Sequence, residues 1–393
     1  MTSADRTAGV TSSNAPLRIV HVLPHVGSAQ QVAGGHFVTV VASTLEQDGP
    51  PAAMGAGVEL ITEPASRAFG FRRCPALEPK LAALAGEADI LHSHLLWADC
   101  HRQAARAVRT AGIPQVISPC GTLDEEALRH HGFKKWPAAL WFQNRALREA
   151  ACLNAQSQRE VESIRAHGLR NPVALIGNAI DWPGVAAESE LAAFRERYAL
   201  KPDKSRVLFL GRLNPVKGLD RLIRAWAQLG EFHEDWELLI AGPDETGYGS
   251  RIEELARSAG LEQSVRFTGM LEVEDKWLAI AASELLVMPS DYENFGVSAA
   301  EAMSAGRPVL TSNGTPWRHA AEAGAGWSVE RTPQAVAEAL REALSLPAEE
   351  RRAMGARAAE LTRVYSPQVI AETWDSVYRW LLRQGDKPDC ILD

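Results

Sequence analysis

The sequence lacks any apolar segment long enough to span a bilayer, because charged residues such as Glu284 interrupt its most apolar stretches. Its first 15 residues lack the apolar core of a secretory signal, and we expect them to form a disordered tail. Residues 386–393 are expected to be frayed. The five cysteines are scattered and include no Cys-x-x-Cys pair, which argues against a structural zinc site and favours a reducing compartment. These absences predict a cytoplasmic protein.

The sequence also lacks an excess of positive charge. Its formal net charge of −8 argues against nucleic-acid binding, which depends on a basic surface. It contains no Asp-x-Asp run to hold a metal, and no Gly-Lys-Ser/Thr ending of a P-loop. Small-molecule chemistry is therefore favoured, and we predict neither a metal nor another cofactor. The 393 residues suit two domains of roughly 180 residues each.

Strand-like and helix-like segments alternate along the chain. Residues 17–23 and 88–94 read as buried strands, and 37–45 has apolar spacing compatible with a helix. Such alternation predicts doubly wound parallel sheets, which bind ligands beyond the carboxyl ends of their strands. Gly34 and Gly35 precede the expected helix, where their backbone can either approach a ligand phosphate or sugar or simply form a loop.

A later strand-loop-helix unit carries two cations. Residues 206–210 form the expected strand, and the helix that follows has apolar residues along one face. Arg212 and Lys217 lie in the loop between them, close to the positive end of the helix, and this arrangement suits a diphosphate. The alternative is an ordinary surface loop with two basic residues.

Two glutamates lie in a further unit of this kind. An expected strand at 284–288 leads into a loop that contains Glu293, and the next helix, 297–305, contains Glu301. Eight helical positions would cover about 12 Å, which is similar to the reach from ribose to hexose in a nucleotide-sugar. Gly296 leaves the backbone open beside the first helical N–H groups, so we predict an anion site between two carboxylates suited to hydroxyls. Two exposed glutamates on a helix would be the simpler interpretation.

This stretch resembles the C-terminal signature of family 4 of the retaining nucleotide-sugar glycosyltransferases. Two motifs carry the resemblance, which extends over residues 16–382: Gly211-Arg212-x4-Lys217-Gly218, and Glu293-Asn294-Phe295-Gly296 continuing to Glu301, Gly306 and Pro308. It implies the GT-B fold, an α/β architecture in which two Rossmann-like doubly wound parallel-sheet domains face a cleft. The implied parts are an N-terminal acceptor-side domain over 16–182 completed by a C-terminal helix over 367–384, a linker over 183–205, and a nucleotide-sugar-binding domain over 206–366.

The resemblance assigns roles to residues of both motifs. Arg212 and Lys217 would stabilise the leaving diphosphate, while Glu293 would accept the sugar hydroxyls and Glu301 the ribose hydroxyls. Further donor contacts are implied at Gly211, Asn294, Phe295 and Gly296, and backbone contacts to the nucleobase at Gly269, Met270 and Leu271. A donor site of this kind is expected to work without a metal.

The first half of the chain contributes one implied catalytic residue. His94 ends an expected strand as the second histidine of a His-x-His run, and the resemblance implies that it faces the donor sugar. His92 is expected to point the other way on the strand. Residues 118–157 resemble bacterial surface-polysaccharide enzymes, except that Cys120 replaces their usual Arg or His. Basic and aromatic residues over 129–148 fit either a face that contacts anionic lipid or a solvated helix with buried tryptophans.

These implications predict a retaining hexosyltransferase that moves a hexose from a UDP- or GDP-sugar to an acceptor hydroxyl. The suggested acceptor is a lipid-linked oligosaccharide in polysaccharide biosynthesis, which would bring the protein to the inner face of the cell membrane. A small-molecule natural product is the alternative acceptor. A sugar-nucleotide epimerase and a silent nucleotide-sugar-binding scaffold on the same fold are alternative functions.

Overall fold

The computed structural model describes residues 15–23, 35–45, 57–68, 71–129 and 142–393. The chain divides into two compact units: the first comprises the residues up to Ala179 together with Pro367–Asp393, and the second is Ile180–Ser366. Residues 183–205, the expected linker, belong to the second unit and include a helix. Of the expected tail, only Ala15 lies within the described residues.

The secondary structure follows the alternation expected from the sequence. The strands are β1 (Arg18–Leu23), β2 (Phe37–Thr44), β3 (Val58–Pro64), β4 (Ser66–Ala68), β5 (Phe71–Arg73), β6 (Ile90–His94), β7 (Gln115–Ser118), β8 (Cys152–Ala155), β9 (Val173–Leu175), β10 (Ser205–Leu210), β11 (Trp236–Ala241), β12 (Val265–Gly269), β13 (Leu285–Met288), β14 (Val309–Ser312), β15 (Gly326–Val329) and β16 (Ile391–Leu392). The α-helices are α1 (Leu77–Glu87), α2 (Asp99–Ala111), α3 (Glu125–Arg129), α4 (Asn144–Glu149), α5 (Gln158–Ala166), α6 (Glu188–Arg197), α7 (Leu219–Trp226), α8 (Tyr248–Ser258), α9 (Val273–Ala281), α10 (Val297–Ser304), α11 (Arg318–Glu322), α12 (Pro333–Ser345), α13 (Ala348–Thr362) and α14 (Pro367–Leu381).

Each unit contains one large sheet. The first has the strand order β16-β9-β8-β7-β6-β1-β2-β3, parallel throughout except for β16, which runs antiparallel to β9. The second has the order β12-β11-β10-β13-β14-β15, with every pair parallel. The predicted fold, with two doubly wound parallel sheets, is confirmed.

In each sheet there is one pair of neighbouring strands from which the chain builds the sheet outward in opposite directions, so that the order of the strands reverses there. The reversal lies between β1 and β6 in the first unit and between β10 and β13 in the second. Ligands of open α/β sheets bind outside the carboxyl ends of the strands at such a switch point. The loops that follow these four strands are therefore where a site is expected.

Helical spacing in the sequence identified α7, which packs in the core of the second unit. In α7, Leu219, Leu222, Ile223 and Trp226 are fully buried in the core of the second unit. Burying an aliphatic or aromatic side chain of this kind contributes about 1.5–3 kcal/mol relative to leaving it exposed. The expected linker, 183–205, also contributes to the hydrophobic core, because Phe194 of α6 is buried in the second unit.

Two expectations from the sequence were wrong. Residues 37–45 form β2 and not a helix, because a segment dominated by Val and Thr fits between two parallel strands better than it fits a helix. Gly35, with φ of 83°, therefore precedes a strand, and Gly34 lies outside the described residues. Residues 386–393 are not frayed, since Ile391 and Leu392 pair with β9.

A close backbone approach in the second unit yields a stability prediction. Gly242 follows β11 with φ of 143°, and a Cβ there would overlap the carbonyl oxygen of Gly211. We expect Gly242→Ala to lower the free energy of unfolding by about 3 kcal/mol, measured by urea denaturation. Gly260, with φ of 71° and open space around it, is the matched control, and Gly260→Ala should cost about 1 kcal/mol. If both variants lost the same free energy of unfolding, the overlap at residue 242 would have to be relieved without cost.

Candidate active site

The two switch-point loops of the second unit contact each other. The loop after β10 contains Gly218, and a Cβ at this position would overlap the carbonyl oxygen of Pro289, in the loop after β13. The backbone N–H of Asp291 donates to the carbonyl of Val216 across the same gap, at 2.7 Å. The two motifs found in the sequence are therefore held together by backbone contacts.

This contact brings Lys217 and Glu293 into one ion pair. Lys217 Nζ lies 2.7 Å from Glu293 Oε1, and the Ser290 hydroxyl donates to the same oxygen at 2.7 Å. Both charged side chains are largely buried. The sequence predicted Lys217 at the diphosphate and Glu293 at the sugar. The structure places the two side chains together, so an entering diphosphate would compete with Glu293 for the ammonium group.

Arg212 occupies a different environment. Its guanidinium lies 3.6 Å from Glu245, and both side chains are more than 60% exposed, at 64% and 63%. An exposed pair with this separation holds its members weakly. Arg212 is therefore accessible to an anion that binds at the switch point.

The start of α10 is shaped by Gly296 and Trp317. Gly296 has a left-handed backbone (φ 77°), and the Trp317 indole N–H donates to its carbonyl at 3.2 Å. A Cβ at Gly296 would come within 2.9 Å of that indole nitrogen. Phe295 is buried and packs edge-on against Trp317. Of the predicted donor contacts here, Phe295 can therefore contribute its backbone only, while Asn294 lies beside it at the helix entrance.

Glu301 lies one turn into α10, and its side chain is only 10% exposed. Lys276 of α9 donates to Glu301 Oε1 at 2.6 Å. Burial raises the pKa of the Glu301 carboxyl, and the Lys276 charge opposes that shift. Sequence reasoning missed Lys276, because 25 positions separate it from its partner and no motif includes it.

The predicted nucleobase loop follows β12. Gly269 has φ of 71°, and its carbonyl accepts from the N–H of Gly242 at 2.8 Å, which joins this loop to the end of β11. The next residue, Met270, has a side chain that is 71% exposed, whereas Leu271 is partly buried. Backbone and apolar surface are thus open at the end of this strand.

In the first unit, His94 lies at the end of β6, beside the switch point. Its Nε2 lies 2.9 Å from Nδ1 of His21 on β1. The His92 and His94 rings stack with centroids 4.2 Å apart and 20° between their planes. The expectation that His92 points away from His94 was wrong, because side chains two positions apart on a strand share a face.

The hydrogen bonds of His92 fix its tautomer. The amide nitrogen of Asn154 donates to backbone carbonyls at β9, so its oxygen accepts from the Ser118 hydroxyl at 2.9 Å. Ser118 must then accept from His92 Nε2–H, at 2.7 Å. His92 Nδ1 in turn accepts from the Tyr378 hydroxyl of α14, at 2.8 Å. This chain of bonds ties the C-terminal helix to the strand that carries His94.

The His21, His92 and His94 rings also bring nitrogens within 4.8 Å of one another, a spacing that metal sites share. The stacking of His92 on His94 directs their in-plane lone pairs side by side, not toward one point. Both nitrogens of His92 are also already hydrogen bonded. Burial lowers the pKa of all three imidazoles, with His94 near 4, so the group is an uncharged hydrogen-bonded cluster.

Cys120 follows β7 with a left-handed backbone, φ 53°, which is unusual for a residue other than glycine. Its thiol donates to the Ser118 carbonyl at 3.4 Å. Burial, reinforced by the Glu160 carboxylate, raises the pKa of this thiol to about 12. Cys120 therefore supplies neither a thiolate nor the positive charge of the residue that it replaces.

Most of the segment expected to contact lipid, 129–148, lies outside the described residues. Of its described basic residues, Arg145 pairs with Glu149 at 2.7 Å. Nearby, a cavity of about 530 Å³ lies between α3 and α5 and is lined in part by Asp124, Arg159 and Ser163. It includes none of the predicted donor or catalytic residues.

The two doubly wound sheets and the switch-point site define a class of protein. Residues 25–179 match the family of glycosyl transferase 4-like domains, and residues 192–361 match glycosyl transferases group 1. The chain belongs to the family 4-like glycosyltransferases of the GT-B fold.

Individual relatives share about a third of their residues with this chain over the matched regions. The chain is 32% identical over 228 residues to a D-inositol 3-phosphate glycosyltransferase of Kineococcus radiotolerans, which covers 53% of this chain and about half, 51%, of that protein. A glycogen synthase of Mycobacterium tuberculosis is 30% identical over 300 residues, covering 74% of this chain and 68% of the synthase. The solved structure of Anabaena Alr3699/HepE in complex with UDP-glucose has a TM-score of 0.72 at 20% identity, covering 92% of this chain and 99% of that one, which shows a shared fold.

Acid should destabilise the first unit through His94. Burial lowers the pKa of this imidazole from 6.5 to about 4, so the unfolded chain takes up a proton near pH 6.5 while the folded chain does not until about pH 4. The stability contributed by neutral His94 is complete above pH 6.5 and is lost as the pH falls from 6.5 toward 4. We expect this loss to be ~3 kcal/mol, and His94→Asn should flatten the fall in melting temperature over that range.

His319, an exposed histidine of the second unit, provides the control. Because His319→Asn leaves the buried histidine cluster intact, the steep fall in melting temperature on acidification should persist in this variant. A His94→Asn protein that loses stability on acidification as steeply as the wild type would contradict the assignment of a depressed pKa to His94.

Proposed function

We propose that this protein is a retaining hexosyltransferase that moves a hexose from a UDP- or GDP-sugar to an acceptor hydroxyl without a metal. The observation that carries the proposal is the switch point of the second unit. There, Arg212, Lys217 and the start of α10 offer positive charge beside two largely buried carboxylates, Glu293 and Glu301. This combination matches a diphosphate flanked by hydroxyl-bearing sugars.

The difficult step is departure of the nucleoside diphosphate while positive charge builds at the anomeric carbon. Arg212 and Lys217 stabilise the leaving diphosphate, and Lys217 exchanges its Glu293 partner for a phosphate oxygen. Glu293 then accepts hydroxyls of the hexose, and Glu301 accepts those of the ribose. The family resemblance assigns His94, kept uncharged by burial, to the donor sugar, where it would donate a hydrogen bond to a hydroxyl. Gly269, Met270 and Leu271 receive the nucleobase through their backbone.

For the acceptor, we propose a lipid-linked oligosaccharide in polysaccharide biosynthesis. The names of the relatives include a transferase to inositol phosphate and a polysaccharide synthase, so acceptors of very different size occur among similar chains. A small-molecule natural product is the second candidate. No helix within the described residues is long and apolar enough to cross a membrane. We propose that contact with a lipid-linked acceptor is made peripherally at the inner membrane face, through 129–148.

The first test is a thermal-shift screen against UDP, GDP, ADP and dTDP and their common sugars, with and without magnesium. A ligand that binds only the folded state raises the melting temperature by mass action. A shift with UDP or GDP that does not depend on magnesium supports the proposed donor site. Product formed only when an acceptor is present separates a transferase from an epimerase, and binding without turnover would indicate a scaffold.

Arg212→Ala should reduce kcat by about 100- to 1,000-fold, because it removes one preorganised contact to the leaving diphosphate. The melting temperature should stay unchanged, since the side chain is exposed. Arg224→Ala, at an exposed position of α7 in the same unit, should keep wild-type kcat. Wild-type turnover in Arg212→Ala would remove this residue from the diphosphate site.

A further inference from the structure

Lys276 belongs to none of the motifs, yet it is one of the two lysines that hold a carboxylate of the donor site. It projects from α9 and places Nζ 2.6 Å from Glu301 Oε1, on the neighbouring helix α10. Three-quarters of the Lys276 side chain and nine-tenths of the Glu301 side chain are withdrawn from solvent. A pair with this geometry and burial couples its members far more strongly than an exposed ion pair.

We propose that Lys276 is a positioning residue that holds Glu301 as a fixed double acceptor, so that the donor site selects ribonucleoside diphosphates over their 2′-deoxy forms. The inference rests on the proposed function, in which Glu301 binds the ribose. It adds a residue and a substrate class that neither motif specifies.

The position of Glu301 places its carboxylate near the expected ribose. Side chains of an α-helix tilt toward its N-terminus, and Glu301 lies one turn below the N-terminal end of α10. A diphosphate bound at that end would carry its ribose toward the carboxylate. Within the described residues, Lys276 is the hydrogen-bond partner of Glu301 Oε1. One oxygen thus anchors the group while acceptor sites remain for a vicinal diol.

The ionised state of Glu301 decides what it can recognise. A carboxylate accepts from two hydroxyls, whereas a protonated carboxyl is partly a donor and forms weaker bonds. A buried carboxylate that loses its cation tends to take up a proton, because desolvation favours the neutral form. A ligand without the 2′-hydroxyl would leave an acceptor of the charged group unpaired, and such a loss is penalised more heavily than a missing apolar contact. Lys276 therefore sets the strength of ribose discrimination.

The experiment measures binding of UDP, GDP and their 2′-deoxy forms by isothermal titration calorimetry. For the wild type we expect the ribonucleotide to bind at least tenfold more tightly than its deoxy form. Lys276→Met should weaken ribonucleotide binding about tenfold and bring the ratio of ribonucleotide to deoxynucleotide affinity close to one. Lys276→Arg should retain the wild-type affinity and the wild-type ratio. Lys387→Met, which breaks a Lys–Asp pair of the first unit, is the matched control and should behave as the wild type.

A double-mutant cycle separates positioning from direct contact. If Lys276 acts through Glu301, Lys276→Met should cause no further loss of affinity in a Glu301→Gln background. Independent, additive losses would show direct contact between Lys276 and the nucleotide and would overturn the positioning role. An unchanged ribo-to-deoxy ratio in Lys276→Met would refute the inference alone. Failure of the wild-type protein to bind any of the four nucleotides would refute the proposed function together with this inference.

Discussion

The proposed donor site depends on pairing two carboxylates that are largely withdrawn from water. Glu293 is paired with Lys217, and Glu301 is paired with Lys276. Each lysine lies on a different element from its carboxylate. Removing one member of a buried pair leaves an uncompensated charge, typically at a cost of about 3–5 kcal/mol. The four residues are therefore interdependent. In the proposed function, donor binding would be an exchange of partners, in which a diphosphate replaces Glu293 at Lys217 while the Lys276 pair stays in place.

Backbone contacts set the distances within this arrangement. A side chain at Gly218 would overlap Pro289, and one at Gly314 would overlap the carbonyl of Asp291, so the loop that carries Glu293 is enclosed by backbone on two sides. The N–H of Glu293 also donates to the Gly314 carbonyl at 3.2 Å. Positioning of the carboxylate thus depends on loops that tolerate almost no added volume, whereas the helices mainly bury the apolar surface beneath them.

The sequence predicted the elements whose apolar spacing is unambiguous, including β10, β13 and the buried face of α7. It failed at β2, where a run of valines suits a strand but can also be fitted to a helical pattern. Residues 50–79 gave no prediction, yet they include β3, whose side chains are only partly buried and carry a weak pattern.

The candidate site was predicted only where it lies within a motif. Arg212, Lys217, Glu293 and Glu301 were found because short sequence runs contain them. Lys276 and His21 were missed because their partners are 25 and 73 positions away, and only the tertiary fold brings them together. Single-sequence reasoning does not reveal such pairs. The direction of His92 could have been predicted, since it follows from the two-residue period of a strand alone.

The antiparallel strand β16 has a consequence for association between molecules. It covers β9, a three-residue strand that would otherwise form an edge of the first sheet, through Ile391 and Leu392. The N–H of Leu175 also donates to the carbonyl of Cys390 at 2.8 Å, which joins this segment to the sheet. Unpaired backbone at a sheet edge is a template for a strand from another molecule. Ile391 and Leu392 therefore occupy backbone of β9 that a strand from another molecule could otherwise pair with.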